Sequence, residues 1–246
     1  MVRSRILIFA WFVCSFCAAS AAFGVAPVTD SSGTHSAWAI IPRLNSAGHF
    51  PFTGSIVNRH FNADINIVLE YENWGLFLFK SHDLEQHHSP VNYFQPGVFR
   101  SVRITPDIDV RLFFGYVFSQ AKSFRDPDSD FFAAPVLYWN IGSGLKFENC
   151  ALFFDLSSGA KVANRLKMVW ATGSVSFEGF VWHRLVLSDG QHATSASFAF
   201  GLPLLRLSKS ISLVMSLSYQ GYLTRTKPDF ALRDGFLVNV ALTLRG

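Results

Sequence analysis

The chain has 246 residues and a formal net charge of +4; 50% of its residues are hydrophobic, 15% aromatic and only 15% charged. Soluble domains carry about 25% charged residues. A chain this apolar is not intrinsically disordered, and its thinly spread cations, with no Lys/Arg block, argue against nucleic acid as a partner.

Residues 1–22 read as a cleaved signal peptide. Arg3 and Arg5 form a basic start, residues 6–19 are mostly apolar, and Ala19-Ser20-Ala21 is an A-x-A cleavage site. The apolar run falls short of the roughly 18–20 residues that a spanning helix needs. The chain is therefore expected to be exported, with residues 23–246 as one mature domain. Cleavage also removes Cys14 and Cys17, so Cys150 is the mature chain's single cysteine and no intramolecular disulfide can form.

Beyond the signal, the longest unbroken apolar run, residues 131–139, contains Pro135 and is too short to span as a helix. Apolar residues recur instead with a period of two, the signature of strands with unlike faces. In 61–71, Phe61, Ala63, Ile65, Ile67, Leu69 and Tyr71 share one face, opposite Asn62, Asp64, Asn66 and Glu70. Residues 108–118 repeat the pattern with Asp109 and Arg111 on the polar face, and 137–148 repeat it with Asn140, Lys146 and Glu148 there. Later segments set Phe198, Phe200 and Leu202 against Ser195 and Ser197, and Leu213, Met215 and Leu217 against Ser212, Ser216, Ser218 and Gln220.

The periodicity predicts strands at 36–43, 56–71, 74–83, 97–105, 108–119, 134–147, 150–157, 164–172, 174–186, 193–205, 210–223 and 235–245: about twelve, with ten as the lower count. Tight links, among them Glu72-Asn73, Pro106-Asp107 and Glu148-Asn149, alternate with longer ones such as 44–55, 84–96 and 120–133. A water-soluble β-sandwich would also alternate. The two classes of link separate the readings, because short turns at one end and long loops at the other mark a transmembrane barrel.

In these features the chain resembles the general class of Gram-negative outer-membrane β-barrel proteins. The resemblance covers residues 36–245 and rests on pattern and composition. It implies an all-β, antiparallel, up-and-down transmembrane barrel in the outer membrane, with turns toward the periplasm and long loops outward. The class commonly ends in an aromatic residue, whereas this chain ends Leu244-Arg245-Gly246.

In such a barrel the polar parity faces the lumen. The expected lining is Asn62, Asp64, Asn66 and Glu70, then Asp109, Arg111 and Asn140, then Lys146, Glu148, Asp155, Arg165 and Lys167, with Ser216 and Gln220 in a Ser-rich wall. Twelve strands leave a narrow pore or a filled one. A mixed-charge lining fits passage of small polar solutes, and it fits equally an internal ion-pair network that does not conduct. Cys150, grouped with Leu152, Phe154 and Leu156, reads as a packing residue.

Other chemistry has weaker support. His82, Asp83, Glu85, His87 and His88 cluster in one outer loop, and Asp126, Asp128 and Asp130 alternate in another, but neither has the spacing of a known metal site. A lipid hydrolase would need a Ser–His pair. The candidates are His88 with Ser89 and His183 with Ser174 or Ser176, and no G-x-S-x-G elbow accompanies them. No catalytic residue, metal or cofactor is therefore expected. Expected partners are outer-membrane lipid and small polar solutes, with outer-loop aromatics in 84–96 available to a protein partner.

Overall fold

The computed structural model describes residues 36–48, 56, 58–85, 92–119, 129–142, 144–157, 159–172, 175–187, 190–226 and 234–246. The expected signal peptide lies outside them. The strands are β1 (Ser36–Asn45), β2 (Asn62–Tyr71), β3 (Trp74–Asp83), β4 (Tyr93–Thr105), β5 (Ile108–Tyr116), β6 (Phe118–Ser119), β7 (Phe131–Asn140), β8 (Leu145–Phe154), β9 (Lys161–Thr172), β10 (Val175–Val186), β11 (His192–Arg206), β12 (Ile211–Arg225) and β13 (Gly235–Arg245).

Apart from the two-residue β6, each strand pairs antiparallel with the strands before and after it, and β13 pairs with β1, so the sheet closes on itself. The two-residue β6 continues β5 past Val117 along the same partner, β4, so the segments make a twelve-stranded up-and-down barrel. Closure removes every sheet edge, which is what a strand protein needs where no water can satisfy backbone groups. Among the described residues, no helix is long and apolar enough to cross a membrane.

Proline positions are explained by the ladders. Pro42 interrupts the β1–β13 register while β1–β2 pairing runs through it unbroken. Pro135 lies in a gap of the β7–β8 register, Pro203 borders a shift between β11 and β12, and Pro96 lies where β4 passes from β5 to β6. Each proline, lacking an N–H, falls where one ladder bond is already missing.

The structure corrects one turn. The sequence reading carried a strand through 134–147 and turned at Glu148-Asn149, whereas the chain turns between Asn140 and Leu145, and Glu148 and Asn149 lie inside β8. The reason is conformational: Gly142 and Gly144 have φ of +76° and +79°, values that strand residues with side chains avoid. Moving the turn also moves Cys150, which points inward and is buried, and it leaves Asp155 in the connection after β8 rather than on a strand. Tyr93, Phe94 and Pro96, read as loop residues, belong to β4.

The outer face is apolar. Leu69, Leu76, Leu112, Leu166, Met168 and Leu217 point outward and are exposed. At the short-turn end Trp38, Tyr71, Trp74, Trp139 and Trp170 point outward as well. At the long-loop end Phe94, Tyr116, Phe118 and Phe131 form an outward aromatic group, and Tyr219 meets Phe236 at 4.9 Å between ring centroids. An apolar belt between two aromatic girdles is the surface a lipid bilayer requires. Tyr222, near the long-loop end of β12, faces the lumen instead.

The core is inside the barrel. Phe77, Phe99, Phe113 and Phe132 pack together from β3, β4, β5 and β7, with Val68, Val136 and Cys150 beside them. Their rings occupy hollows left by inward glycines: a β-carbon at Gly97 would lie 2.4 Å from the Phe77 ring, and one at Gly115 2.7 Å from the Phe132 ring. A second cluster brings Phe79 and Tyr93 on β3 and β4 against Ala163 and Trp182 on the opposite wall, β9 and β10.

Candidate solute passage

Of the expected lining residues, all except Asp155 point into the barrel, because their parity matches that of the buried side chains on each strand. They divide by depth. Asn62, Asp64, Asn66, Glu70, Arg111, Glu148 and Arg165 are packed among the phenylalanines and one another. Asn140 and Lys146 pair at the short-turn mouth, near the Arg103–Asp109 bridge of 2.9 Å. Asp155 pairs with Lys161 at the long-loop end.

The buried charges are matched. Arg111 meets Glu70 at 3.0 Å and lies between the Phe99 and Tyr138 rings, 5.0 and 5.1 Å from their centroids. Asp64 receives the Arg43 Nε–H at 2.6 Å and the Asn45 amide at 2.8 Å. Glu148 holds both Arg165 and Lys167, and Lys167 reaches on to Glu178 at 2.5 Å. These charges need partners because desolvation in a dry interior would otherwise exceed what isolated ions can recover.

The other half of the wall is different. Ser176, Ser197, Ala199, Ser216, Ser218, Asn239 and Ala241, on β10 to β13, are small inward residues, and nearly all are half-exposed rather than buried. Beside them stand the charged groups that retain access to water: Arg43 at 23%, Lys167 at 12% and Glu178 at 31% side-chain exposure. The barrel thus has a solid half, β2 to β8, and a water-accessible strip along the short-turn part of β10 to β13 and β1; toward the long-loop end the same strands carry the buried Trp182, Ser195, Gln220 and Leu237.

The solved structures most like this one include two porins. The NanC porin superposes with a TM-score of 0.57 at 10% identity, covering 84% of this chain and 98% of that one. The KdgM porin does so with 0.57 at 7% identity and the same coverages, 84% and 98%. The fold is that of a porin barrel. No protein-family model matches the sequence, and no curated protein matches it.

Ile56, in the first long connection of this porin-type barrel, lies in the barrel's mouth. It is buried against Ala47 and the inward Leu237, and its N–H donates to Gln220 Oε1 at 3.0 Å. Asn58 Nδ2 donates to Asp83 Oδ2 at 3.0 Å, and His60 Nδ1 lies 2.9 Å from the same oxygen. Gln220, expected as lining, therefore serves as an anchor, and its Nε2 donates to Ser195 Oγ at 3.2 Å.

Among the described residues the other candidate chemistries are not assembled. His183 points outward and bonds Thr194 Oγ1 at 2.8 Å, on the face opposite Ser176; Ser174, His88 and Ser89 lie outside the described residues. His87, Asp126 and Asp128 also lie outside them. Asp130 accepts from the Ser157 N–H at 2.9 Å and its hydroxyl at 2.7 Å, closing a connection. Among the described residues no group of three metal-ligating side chains occurs.

Arg43 and Glu178 were missed in the sequence for different reasons. Pro42 obscured the strand that carries Arg43, and Glu178 sits in a strand whose two faces are nearly alike in hydrophobicity. The aromatic filling had a visible signal: Phe113 and Gly115 share the parity of Asp109 and Arg111.

Proposed function

We propose that this chain is an outer-membrane channel of a Gram-negative bacterium, exported by cleavage of residues 1–22, through which small polar solutes pass. The observation that carries the reading is the half-exposed polar strip along β10 to β13 and β1, lying beside a wall that is otherwise solid. The apolar belt and girdles support placement in a bilayer. Solutes would move past Lys167, Glu178, Arg43, Ser197, Ser216 and Ser218. The buried members of the expected lining, such as Glu70, Arg111 and Glu148, would hold the wall rigid rather than touch the solute.

A narrow, eccentric path of this kind favours small uncharged or zwitterionic solutes, because cations and anions each meet one like charge in the Lys167–Glu178 pair. The test is single-channel conductance of the protein extracted from membranes and inserted into planar bilayers. Discrete conductance steps are expected. A folded barrel that inserts without conducting would establish a second reading, a non-conducting barrel, which the meeting of Phe79 and Tyr93 with Trp182 across the lumen favours.

A further inference from the structure

One sector of the outer wall breaks the apolar belt. Asn149 on β8 and Asn164 on β9 point outward, since their parity is opposite to that of the buried Glu148, Cys150 and Arg165. Their carboxamides bond each other reciprocally, Asn149 Nδ2 to Asn164 Oδ1 at 3.2 Å and Asn164 Nδ2 to Asn149 Oδ1 at 3.3 Å. Asn149 lies in mid-strand, and the register sets it between the outward Leu137 and Leu166. The polar row continues from Asn164 to its register partner His183 on β10, which meets Thr194 on β11. Elsewhere among the described residues, outward polar side chains stand at or beyond the girdles, as Arg100 does 5.4 Å from the Trp74 ring and Lys80 does opposite Phe94.

Hydrocarbon offers no hydrogen-bond partner, so a polar group facing it costs free energy unless protein satisfies it. A carboxamide has two N–H donors and an oxygen with two lone pairs. The reciprocal pair uses one donor and one lone pair of each, and among the described residues neither side chain makes a further hydrogen bond. The surface around the pair also has a shape. Asn149 stands beside Leu166 and Ala151 beside Asn164, so the four residues form a square with the asparagines on one diagonal. On the other diagonal Leu166 is 43% exposed and Ala151 only 4%, a knob next to a hollow. Knob and hollow share one height, because Leu166 lies six residues from Thr172 and Ala151 six from Leu145, the short-turn ends of their strands.

We propose that this face is the contact between two copies of the chain in the membrane, related by a two-fold axis along the membrane normal that runs through the Asn149–Asn164 pair. A two-fold contact sets one patch against itself and so needs self-complementary groups. The square supplies them. Each asparagine on the axis meets its own counterpart, and the unused N–H of one amide donates to the unused lone pair of the other. To either side, Leu166 enters the hollow over the partner's Ala151. A lipid chain could fill the hollow but would leave the amide donors unused. The contact faces away from the lumen, so it holds whether or not the lumen conducts.

The test is disulfide cross-linking of the full chain in intact membranes, driven by copper phenanthroline. Asn164→Cys sets two thiols face to face across the axis and keeps Asn149, Leu166 and Ala151. It should give a band of twice the chain's mass. The parent, whose Cys150 is inward and buried, should give none, nor should Leu69→Cys on β2, across the barrel from β9. Adding Ala151→Leu to Asn164→Cys fills the hollow and keeps the lipid face apolar; it should lower the linked fraction at least about five-fold by overpacking the contact. Heat-modifiable gel migration should be unaltered in every variant, Asn149→Leu with Asn164→Leu included, because lipid accepts leucine there. No linked band from Asn164→Cys, equal linking from Leu69→Cys, a product of any other mass, or linking undiminished by Ala151→Leu would overturn the contact. Loss of the folded band in the double leucine variant would overturn it as well, by making the amide pair a strut of the wall.

Discussion

Gly75 on β3 and Phe99 on β4 occupy one space: a β-carbon at residue 75 would lie 2.1 Å from the Phe99 ring. This is the tightest of three glycine hollows that seat phenylalanines inside the barrel, and it makes the wall and its filling interdependent. Gly75→Ala should therefore cost about 1–3 kcal/mol, the usual penalty for overpacking a filled core. The measurement is the urea midpoint of the protein in detergent. Adding Phe99→Leu should restore part of the loss, since the two substitutions share a contact and their effects are not additive.

Glu148 is the carboxylate within ion-pair distance of Arg165 among the described residues, and it also faces Lys167. Glu148→Gln keeps the shape and removes the charge, which strands a buried guanidinium. Breaking a buried pair in this way costs about 3–5 kcal/mol. The variant should show a strongly reduced urea midpoint and partial loss of the heat-modifiable folded band. A midpoint within error of the parent would mean that Lys167 and Glu178 alone balance the site.

The barrel was legible in the sequence because strand alternation and link lengths survive without any motif. Thirteen of the fourteen expected lining residues lie on strands, where alternation with apolar residues of the opposite face marks their parity, as with Asp64 between Ala63 and Ile65. The 141–144 turn was misread because Gly142 and Gly144 fit the alternation of small inward residues, and only their positive φ reveals the turn. Depth was not legible at all. Parity shows that Asn66 and Ser216 both face inward, but whether a position is packed or wet depends on what crosses the lumen, and Phe79 on β3 and Trp182 on β10 come from strands far apart in the chain.

Glu178 and Glu70 should separate selectivity from stability. Glu178 reaches the water-accessible strip, so Glu178→Gln leaves Lys167 with less compensation there and should favour anions. At an effective spacing of about 4 Å in a watery path, one charge is worth about 1 kcal/mol, or roughly five-fold in the anion-to-cation permeability ratio. Glu70, packed against Arg111 and Ser101, is outside that strip. Glu70→Gln should lower stability and leave the reversal potential in a salt gradient unchanged, whereas Glu178→Gln should shift it.

Gln220 fixes the inward connection by accepting the Ile56 N–H at 3.0 Å. Gln220→Leu removes the acceptor while retaining bulk beside Ile56, so the buried amide loses its partner at a cost of about 1–3 kcal/mol. A penalty of that size opens the segment more often, by at least about five-fold, with each 1.4 kcal/mol contributing a factor of ten. Hydrogen exchange at the Ile56 amide, followed by mass spectrometry, should accelerate accordingly, with exchange in β2 and β3 unchanged. If the whole of β12 exchanged faster as well, the substitution would have loosened the Gln220–Ser195 contact and the wall itself rather than the connection alone.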